Sequence, residues 1–183
     1  LPTGRDRFGK DRTAVCCLSS LNLETFLEWQ DHPQMIEDVM RFLDNVLQDF
    51  IDRTEGVKGF ERARYSAMME RSVGLGAMGL HSFFQSQSVP FESVVAKSWN
   101  KRFFKHLRKK MDEASIALAE ERGACPDAEN VGLKERFSHK LAIAPTSSIS
   151  IICRGVSAGI EPIPANAYTH KTLSGSIAVK SPH

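Results

Sequence analysis

The segment Thr13-Ala-Val-Cys-Cys-Leu-Ser-Ser-Leu-Asn22 places two thiols inside a short apolar run. A run of this kind, followed by polar residues, predicts a short buried strand and the turn out of it over residues 13–21. Its thiol is a candidate redox group if solvent reaches it and a small core residue if solvent does not. Because successive side chains of a strand face opposite ways, at most one of Cys16 and Cys17 faces a given cavity.

A second segment, Ala142-Ile-Ala-Pro-Thr-Ser-Ser-Ile-Ser150, runs from a strand predicted over residues 141–144 into a hydroxyl-rich turn. Hydroxyls and free backbone N–H groups are good oxyanion ligands, and α/β proteins bind ligands where strands run into such loops. The alternative is a turn that caps its own backbone. The turn lacks the lysine of a P-loop, so it predicts phosphate binding without activation for transfer. The candidate phosphate ligands are Pro145, Thr146, Ser147 and Ser148.

Helical periodicity dominates the chain between these segments. Apolar residues recurring every three or four positions predict a short helix over 23–29 and longer ones over about 31–56, 60–73 and 92–122. Gly123 is expected to cap the last of these and Pro126 to stop it, with a polar connection to residue 140 and a last strand over 177–179. The pattern predicts a helix-rich α/β fold, and no linker divides residues 1–183 into domains.

Composition excludes several classes of protein. The chain has 24 basic and 22 acidic side chains, a net charge of +2 that argues against a dedicated nucleic-acid surface. No apolar run approaches the roughly 20 residues that span a bilayer. Free thiols are the default in a reducing cytosol, so a cytoplasmic protein is expected. Four cysteines in 183 residues, without CxxC spacing, predict free thiols and no metal site. A chain that starts at Leu1 rather than Met is interpreted as a fragment or a split-gene product.

The run Gly74-Leu-Gly-Ala-Met-Gly79 matches the glycine fingerprint of dinucleotide-binding proteins. That fingerprint requires a strand before it and a helix after it. Here a charged segment of helical pattern precedes it, so the glycines are interpreted as places where a helix packs closely against a neighbour. A nicotinamide-dependent oxidoreductase using Gly74, Gly76 and Gly79 stays open as an alternative, as does a non-catalytic interaction module with buried cysteines.

Five segments, in this order, resemble the large (α) subunit of class I ribonucleoside-diphosphate reductase. They are Thr13–Asn22, Arg71–Gly76, Gly123–Pro126, Ala144–Ser148 and Gly159–Pro162. Residues 159–172 are most similar to the bacteriophage branch of that family. The resemblance implies an incomplete second half of a ten-stranded α/β barrel built from two antiparallel halves. It also implies that the family's radical cysteine lies just before Leu1, so that this chain alone is inactive.

The resemblance also implies roles for particular residues. Cys16 matches one of two thiols that supply reducing electrons, and residues 145–148 match the turn that binds the substrate's phosphates. The implied activity is the reduction of ribonucleoside diphosphates to deoxyribonucleoside diphosphates by thiyl-radical chemistry.

The family further implies a set of partners. This chain binds no cofactor itself, and a small (β) subunit carries a dinuclear metal and tyrosyl radical. ATP or dNTP effectors bind elsewhere in the full subunit. The other expected partners are the N-terminal remainder of the subunit, a second subunit in a homodimer, and thioredoxin or glutaredoxin, with no nucleic acid and no membrane. A phage-encoded chain is expected in the host cytoplasm.

Overall fold

Helices hold more residues than strands do in the computed structural model, which describes residues 3–172, 175–181 and 183. The helices are α1 (Phe26–Trp29, preceded by a 3-10 turn at Leu23–Thr25), α2 (Met35–Arg53), α3 (Glu61–Glu70), α4 (Leu80–Ser86), α5 (Val94–Arg122), α6 (Pro126–Glu129) and α7 (Ile149–Ile152). The strands are β1 (Gly4–Arg5), β2 (Asp11–Arg12), β3 (Cys17–Asn22), β4 (Val73–Met78), β5 (Ala167–Thr172) and β6 (Gly175–Lys180).

These strands form three two-stranded sheets. β1 pairs antiparallel with β2, β5 pairs antiparallel with β6, and β3 is hydrogen bonded to β4. The described residues therefore combine helices and strands, and they contain no closed barrel. No helix among them is long and apolar enough to cross a membrane.

The long predicted helices are confirmed. α2 buries one apolar stripe, whose spacing of three or four residues is that of a helix packed on one side. α3 ends at Glu70, three residues before the predicted end, because Arg71 takes a left-handed conformation with φ 43°. α5 covers all but two residues of its predicted range, and Gly123 follows it with φ 88°. The buried stripe of α2 consists of Ile36, Met40, Leu43, Leu47 and Ile51.

The interpretation of the glycine run as a helix contact is wrong. Gly74 and Gly76 lie within strand β4, all six residues of which are buried. A strand buried on both faces shows no alternation of apolar and polar residues, so its period is hidden in the sequence. Gly79 has φ 76° and immediately precedes α4, a helix that was not predicted from the sequence.

Other predicted strands and connections also need correction. β3 begins at Cys17, so Cys16 precedes the strand rather than lying in it. The strand expected over 141–144 is reduced to one parallel bridge between Leu141 and Leu75, followed closely by Pro145, which has no N–H to donate to a ladder. Helix α5 ends before Pro126, as predicted, but Pro126 begins the short helix α6 inside the expected connection, because proline is favoured in a helix's first turn. Strands β1, β2 and β5 were not predicted.

Packing divides the chain into two compact units. The first comprises Leu1–Ser19, His32–Leu75 and Lys105–Ala142, and the second comprises Ser20–Asp31, Gly76–Phe104 and Ile143–His183. In the first unit, the fully buried side chains include those of α2 and of the C-terminal part of α5. In the second, the ring of Phe103 packs edge to face against those of Phe26 and Phe83, with ring centroids 4.7 and 4.9 Å apart. The absence of an internal domain boundary stays a prediction.

Candidate functional site

Cys16 is seated against a glycine. It is half-buried, and a Cβ atom added at Gly74 would lie 3.1 Å from its Sγ atom. The same added atom would lie 2.5 Å from Leu18 Cδ2 and 2.8 Å from Ala142 Cβ, closer than real Cβ atoms approach. Any residue with a side chain at position 74 would therefore displace one of these neighbours. Gly74 is what allows the thiol and Leu18 to pack over strand β4.

The surroundings of Cys16 favour its protonated form. Burial raises the pKa of this thiol, and the neighbouring Cys17 and Glu70 raise it further. Burial also raises the pKa of Cys17, and all four cysteines are free. The Cys16 thiol lies 3.9 Å from the carbonyl oxygen of Cys17, to which it donates a weak hydrogen bond. A protonated thiol is a poor nucleophile but holds the hydrogen that a reducing group must supply.

The predicted phosphate ligands lie together in one turn of the second unit. Thr146 is buried and takes a left-handed conformation with φ 51°. Its Oγ1 atom accepts a hydrogen bond from the backbone N–H of Gly159 at 2.8 Å, so this hydroxyl holds the loop that follows α7. Ser150 closes the turn, because its backbone N–H donates to the carbonyl oxygen of Thr146 at 2.9 Å.

The outer residues of this turn are open to solvent. Pro145, Ser147 and Ser148 are exposed. Among the described residues, the backbone N–H groups of Ser147 and Ser148 have no backbone or side-chain acceptor. Two exposed hydroxyls beside these two N–H groups are able to donate hydrogen bonds to the oxygens of a phosphate. Of the four predicted ligands, the two serines therefore have the groups for this role, whereas Thr146 has a structural one.

The candidate residues fall into two groups. The turn belongs to the second unit, whereas Cys16, Leu18 and Gly74 belong to the first. That the sulfur of Cys16 and the hydroxyls near Ser147 border one cavity stays a prediction. In the part of the chain that is described, no group of three or more His, Cys, Asp or Glu side chains is placed to hold a metal ion.

Two residues of the first unit were not predicted. Gly74 was assigned to a helix contact, although a glycine inside an otherwise apolar strand indicates a close approach of neighbouring groups. Glu70, which is fully buried at the end of α3, was not singled out. Nothing in the charged run before it, Glu61-Arg-Ala-Arg-Tyr-Ser-Ala-Met-Met-Glu70, marks that carboxyl as different from a solvated one.

The dinucleotide alternative finds no support in the position of its glycines. In that fingerprint the glycines form the turn after a strand and bring the backbone close to a pyrophosphate. Here Gly74 and Gly76 lie inside the strand, and Gly74 is covered by Leu18 and Ala142. We therefore find no phosphate cradle at this run.

Comparison with protein families assigns the chain to a family. Residues 7–136 and 128–183 match the family model described as ribonucleotide reductase, barrel domain. The chain belongs to this family. The predicted fold class, a part of the reductase α/β barrel, is thereby confirmed.

The chain is also similar in sequence to individual reductase large subunits. The chain is 46% identical over 170 residues to the ribonucleoside-diphosphate reductase large subunit of Invertebrate iridescent virus 6, and 45% identical over 172 residues to that of Invertebrate iridescent virus 3. These matches cover 93% and 94% of this chain but only 17% and 27% of the relatives. Both relatives are viral, and placement in the bacteriophage branch stays a prediction.

A solved reductase structure shares the fold. The chain matches the class Id ribonucleotide reductase alpha subunit of Actinobacillus ureae with a TM-score of 0.81 and 37% sequence identity. The match covers 85% of this chain and 29% of that subunit. The chain thus spans less than a third of the length of each of these relatives.

Proposed function

We propose that this chain is part of the large subunit of a ribonucleoside-diphosphate reductase and supplies one redox thiol, Cys16, together with a phosphate-binding turn at 145–148. The observation that carries the proposal is the half-buried Cys16 thiol seated on Gly74, where burial raises the pKa of the thiol. It occurs in a chain that matches the reductase barrel domain along nearly all of its length. The activity, substrate and partners belong to the complete subunit.

The chemistry requires two thiols that give up hydrogen. A thiyl radical, supplied by a cysteine outside this chain, abstracts the 3′-hydrogen of the ribose, and the 2′-hydroxyl leaves as water. Cys16 and a second thiol provide two electrons and two protons and become a disulfide, so that one ribonucleotide and two thiols give one deoxyribonucleotide, one disulfide and one water. Burial supports this role because it raises the pKa of the Cys16 thiol and so favours the protonated form.

The turn contributes by positioning the substrate. The exposed hydroxyls and free N–H groups of Ser147 and Ser148 offer hydrogen bonds to a diphosphate. Fixing the diphosphate end orients the ribose, and orientation of this kind contributes several kcal/mol to lowering a reaction barrier. Thr146 supports the turn from inside through its bond to Gly159.

The partners of the complete enzyme are part of the same proposal. They are a small subunit whose dinuclear metal and tyrosyl radical generate the thiyl radical, the remainder of the large subunit, a second large subunit and a thioredoxin or glutaredoxin that reduces the disulfide. Effector nucleotides bind in parts of the subunit outside residues 1–183. This chain alone is expected to show no turnover.

The decisive experiment compares the two neighbouring cysteines in the complete subunit. Cys16→Ser is expected to abolish multiple turnover of a ribonucleoside diphosphate, whereas Cys17→Ser retains it. A Cys16→Ser enzyme that turns over normally with a dithiol reductant would refute the proposed role. Loss of turnover in Cys17→Ser alone would assign the redox thiol to position 17.

A second experiment tests the phosphate turn. The double variant Ser147→Ala and Ser148→Ala is expected to raise KM for the diphosphate substrate more than it lowers kcat. Ser98→Ala, at an exposed serine of α5, is the matched control and leaves both constants unchanged. An unchanged KM in the double variant would contradict phosphate binding at this turn.

A further inference from the structure

The second unit contains a cavity with an apolar interior. Its volume is about 400 Å³, which is large enough for one or two bulky side chains or a small ligand. Phe91, in the connection between α4 and α5, forms one wall with 38% of its side chain exposed, and its ring centroid lies 5.8 Å from that of Phe84. The apolar residues that line the cavity are Leu80, Phe84, Phe91, Ala96 and Ile160.

One side of this cavity is polar and positively charged. Lys97, Asn100 and Lys101 line it from α5, and all three are exposed. Residues four apart on a helix are neighbours, so the two ammonium groups repel each other. Among the described residues neither lysine pairs with a carboxylate, and none of the described lining residues is acidic. The polar side of the cavity therefore favours an anionic occupant.

Apolar surface continues beyond the cavity. Val94 and Val95 begin α5 beside Ala96, and they are 78% and 54% exposed. Contiguous exposed apolar groups with a charged rim mark surfaces that bind another segment or protein. The chain spans less than a third of the length of the reductase subunits that it matches, so a complete subunit has much further chain with which to cover this surface.

We propose that this cavity is the docking site for a segment of the same large subunit that lies outside residues 1–183 and carries a bulky apolar side chain next to carboxylates. The apolar side chain fills the space between Phe84 and Ile160, and the carboxylates pair with Lys97 and Lys101. The amide of Asn100 both donates and accepts, so it suits the backbone of the docked segment. A buried apolar anchor inside a polar rim is the usual arrangement at the centre of an interface. The proposal rests on the proposed function only in that this chain is taken to be part of a larger subunit.

The first test looks for the ion pairs in the complete large subunit. A water-soluble carbodiimide joins a lysine amine to a carboxylate that is in contact with it, and peptide mass spectrometry identifies the two residues. Lys97 or Lys101 is expected to be joined to an Asp or Glu outside residues 1–183 of the same polypeptide. The exposed pair Lys110–Glu113, with 3.0 Å between Nζ and Oε2, is the positive control. Mixing unlabelled with ¹⁵N-labelled subunits separates links within one polypeptide from links between copies.

The second test measures whether the cavity is covered. In the complete subunit, the thiol that Phe91→Cys introduces is expected to react slowly with a maleimide. Adding Lys97→Glu and Lys101→Glu is expected to accelerate this reaction at least about tenfold, because like charges across an interface oppose docking. The matched control adds Lys58→Glu and Lys134→Glu, at two exposed lysines that do not line the cavity, and leaves the rate unchanged.

The cross-linking test needs no substitution, so its result does not depend on whether a variant folds. The proposal is overturned if Lys110–Glu113 is linked but Lys97 and Lys101 are not. It is also overturned if these two lysines are linked only to a second large subunit, to the small subunit or to residues 1–183. An equal maleimide rate with and without the two charge reversals contradicts it as well. Neither test measures turnover, so a failure of the proposed redox role is recognised separately, by an active Cys16→Ser enzyme.

Discussion

Replacing Asp44 by Asn tests whether one buried carboxylate holds the first unit together. Asp44 lies on the inner face of α2 with its side chain 1% exposed, and it accepts hydrogen bonds from three arginines. Arg71 follows α3, Arg122 ends α5, and Arg136 comes from the segment after α6. The change removes the charge while keeping the shape of the side chain.

The structure sets the size of the expected effect. Arg71 donates to Asp44 Oδ1 at 2.7 and 3.0 Å, Arg136 donates to Oδ1 at 3.0 Å and to Oδ2 at 3.2 Å, and Arg122 donates to Oδ2 at 2.9 Å. Arg71 and Arg136 are themselves buried, so little water is available to replace the hydrogen bonds that they lose. Removing one partner of a buried ion pair costs about 3–5 kcal/mol. For a chain of 183 residues this corresponds to a fall in Tm of roughly 6–20 °C.

Thermal and urea unfolding followed by circular dichroism measure this loss. Asp49→Asn is the matched control, since Asp49 lies on the same helix and pairs with Arg53 in the open, where an ion pair contributes about 0–1 kcal/mol. A loss below about 1 kcal/mol in Asp44→Asn would refute the reasoning.

Acid unfolding gives a second measurement on the same variant. Burial opposes the charge on Asp44, but the hydrogen bonds and charges of Arg136 and Arg71 outweigh it and hold the pKa of this carboxyl below its usual range. The wild-type chain therefore keeps this stabilisation above the unfolded-state pKa and loses it as the pH falls through the folded-state pKa. Asp44→Asn is expected to lack that part of the acid transition.

Three further changes are predicted. Gly74→Ala should destabilise the chain by about 1–3 kcal/mol in urea unfolding through overpacking, and adding Leu18→Ala should recover part of the loss because Leu18 Cδ2 is the nearest atom. Asp6→Asn should weaken the pH dependence of stability between about pH 4 and pH 2. Burial raises the pKa of Asp6, but hydrogen bonds from Lys10 and other donors lower it to about 2. The wild-type chain therefore loses the stabilisation by the Asp6 carboxylate as acid protonates it. Thr146→Val should cost about 1–3 kcal/mol by leaving the N–H of Gly159 without its acceptor, whereas Thr146→Ser retains the bond, as hydrogen exchange at Gly159 would show.

Helices α2 and α5 were predictable because each carries its own signal. In α2 the apolar stripe repeats over five turns, and in α5 the pattern runs to Gly123, whose left-handed conformation ends it. The short strands lacked such a signal. β4 is buried on both faces and contains two glycines, so neither alternation nor β-branched residues reveal it. The bridge at Leu141 depends on a strand far away in the sequence, which local pattern does not contain.

The candidate site was predictable in its residues but not in their surroundings. Residue type pointed to the pair Cys16 and Cys17 and to the turn at 145–148, and the resemblance to the reductase family selected Cys16 of the two thiols. The structural role of Thr146 could not be predicted, because it depends on a hydrogen bond between its hydroxyl and Gly159, which is distant in the sequence. The burial of Glu70 was hidden as well, since it results from contacts with Ser72 and the 138–139 segment rather than from its own helix.

Helix α4 has a consequence for synthesis of the protein. Its first turn is capped from a loop 75 residues further along: Ser157 Oγ accepts from the N–H groups of His81 and Ser82, and the Ser157 N–H donates back to Ser82 Oγ. A ribosome adding 5–20 residues per second reaches Ser157 roughly 4–15 s after Ser82. During that interval the nascent chain carries a helix start whose donors only water can satisfy. The rate of translation up to Ser157 therefore sets the earliest time at which the start of α4 is capped.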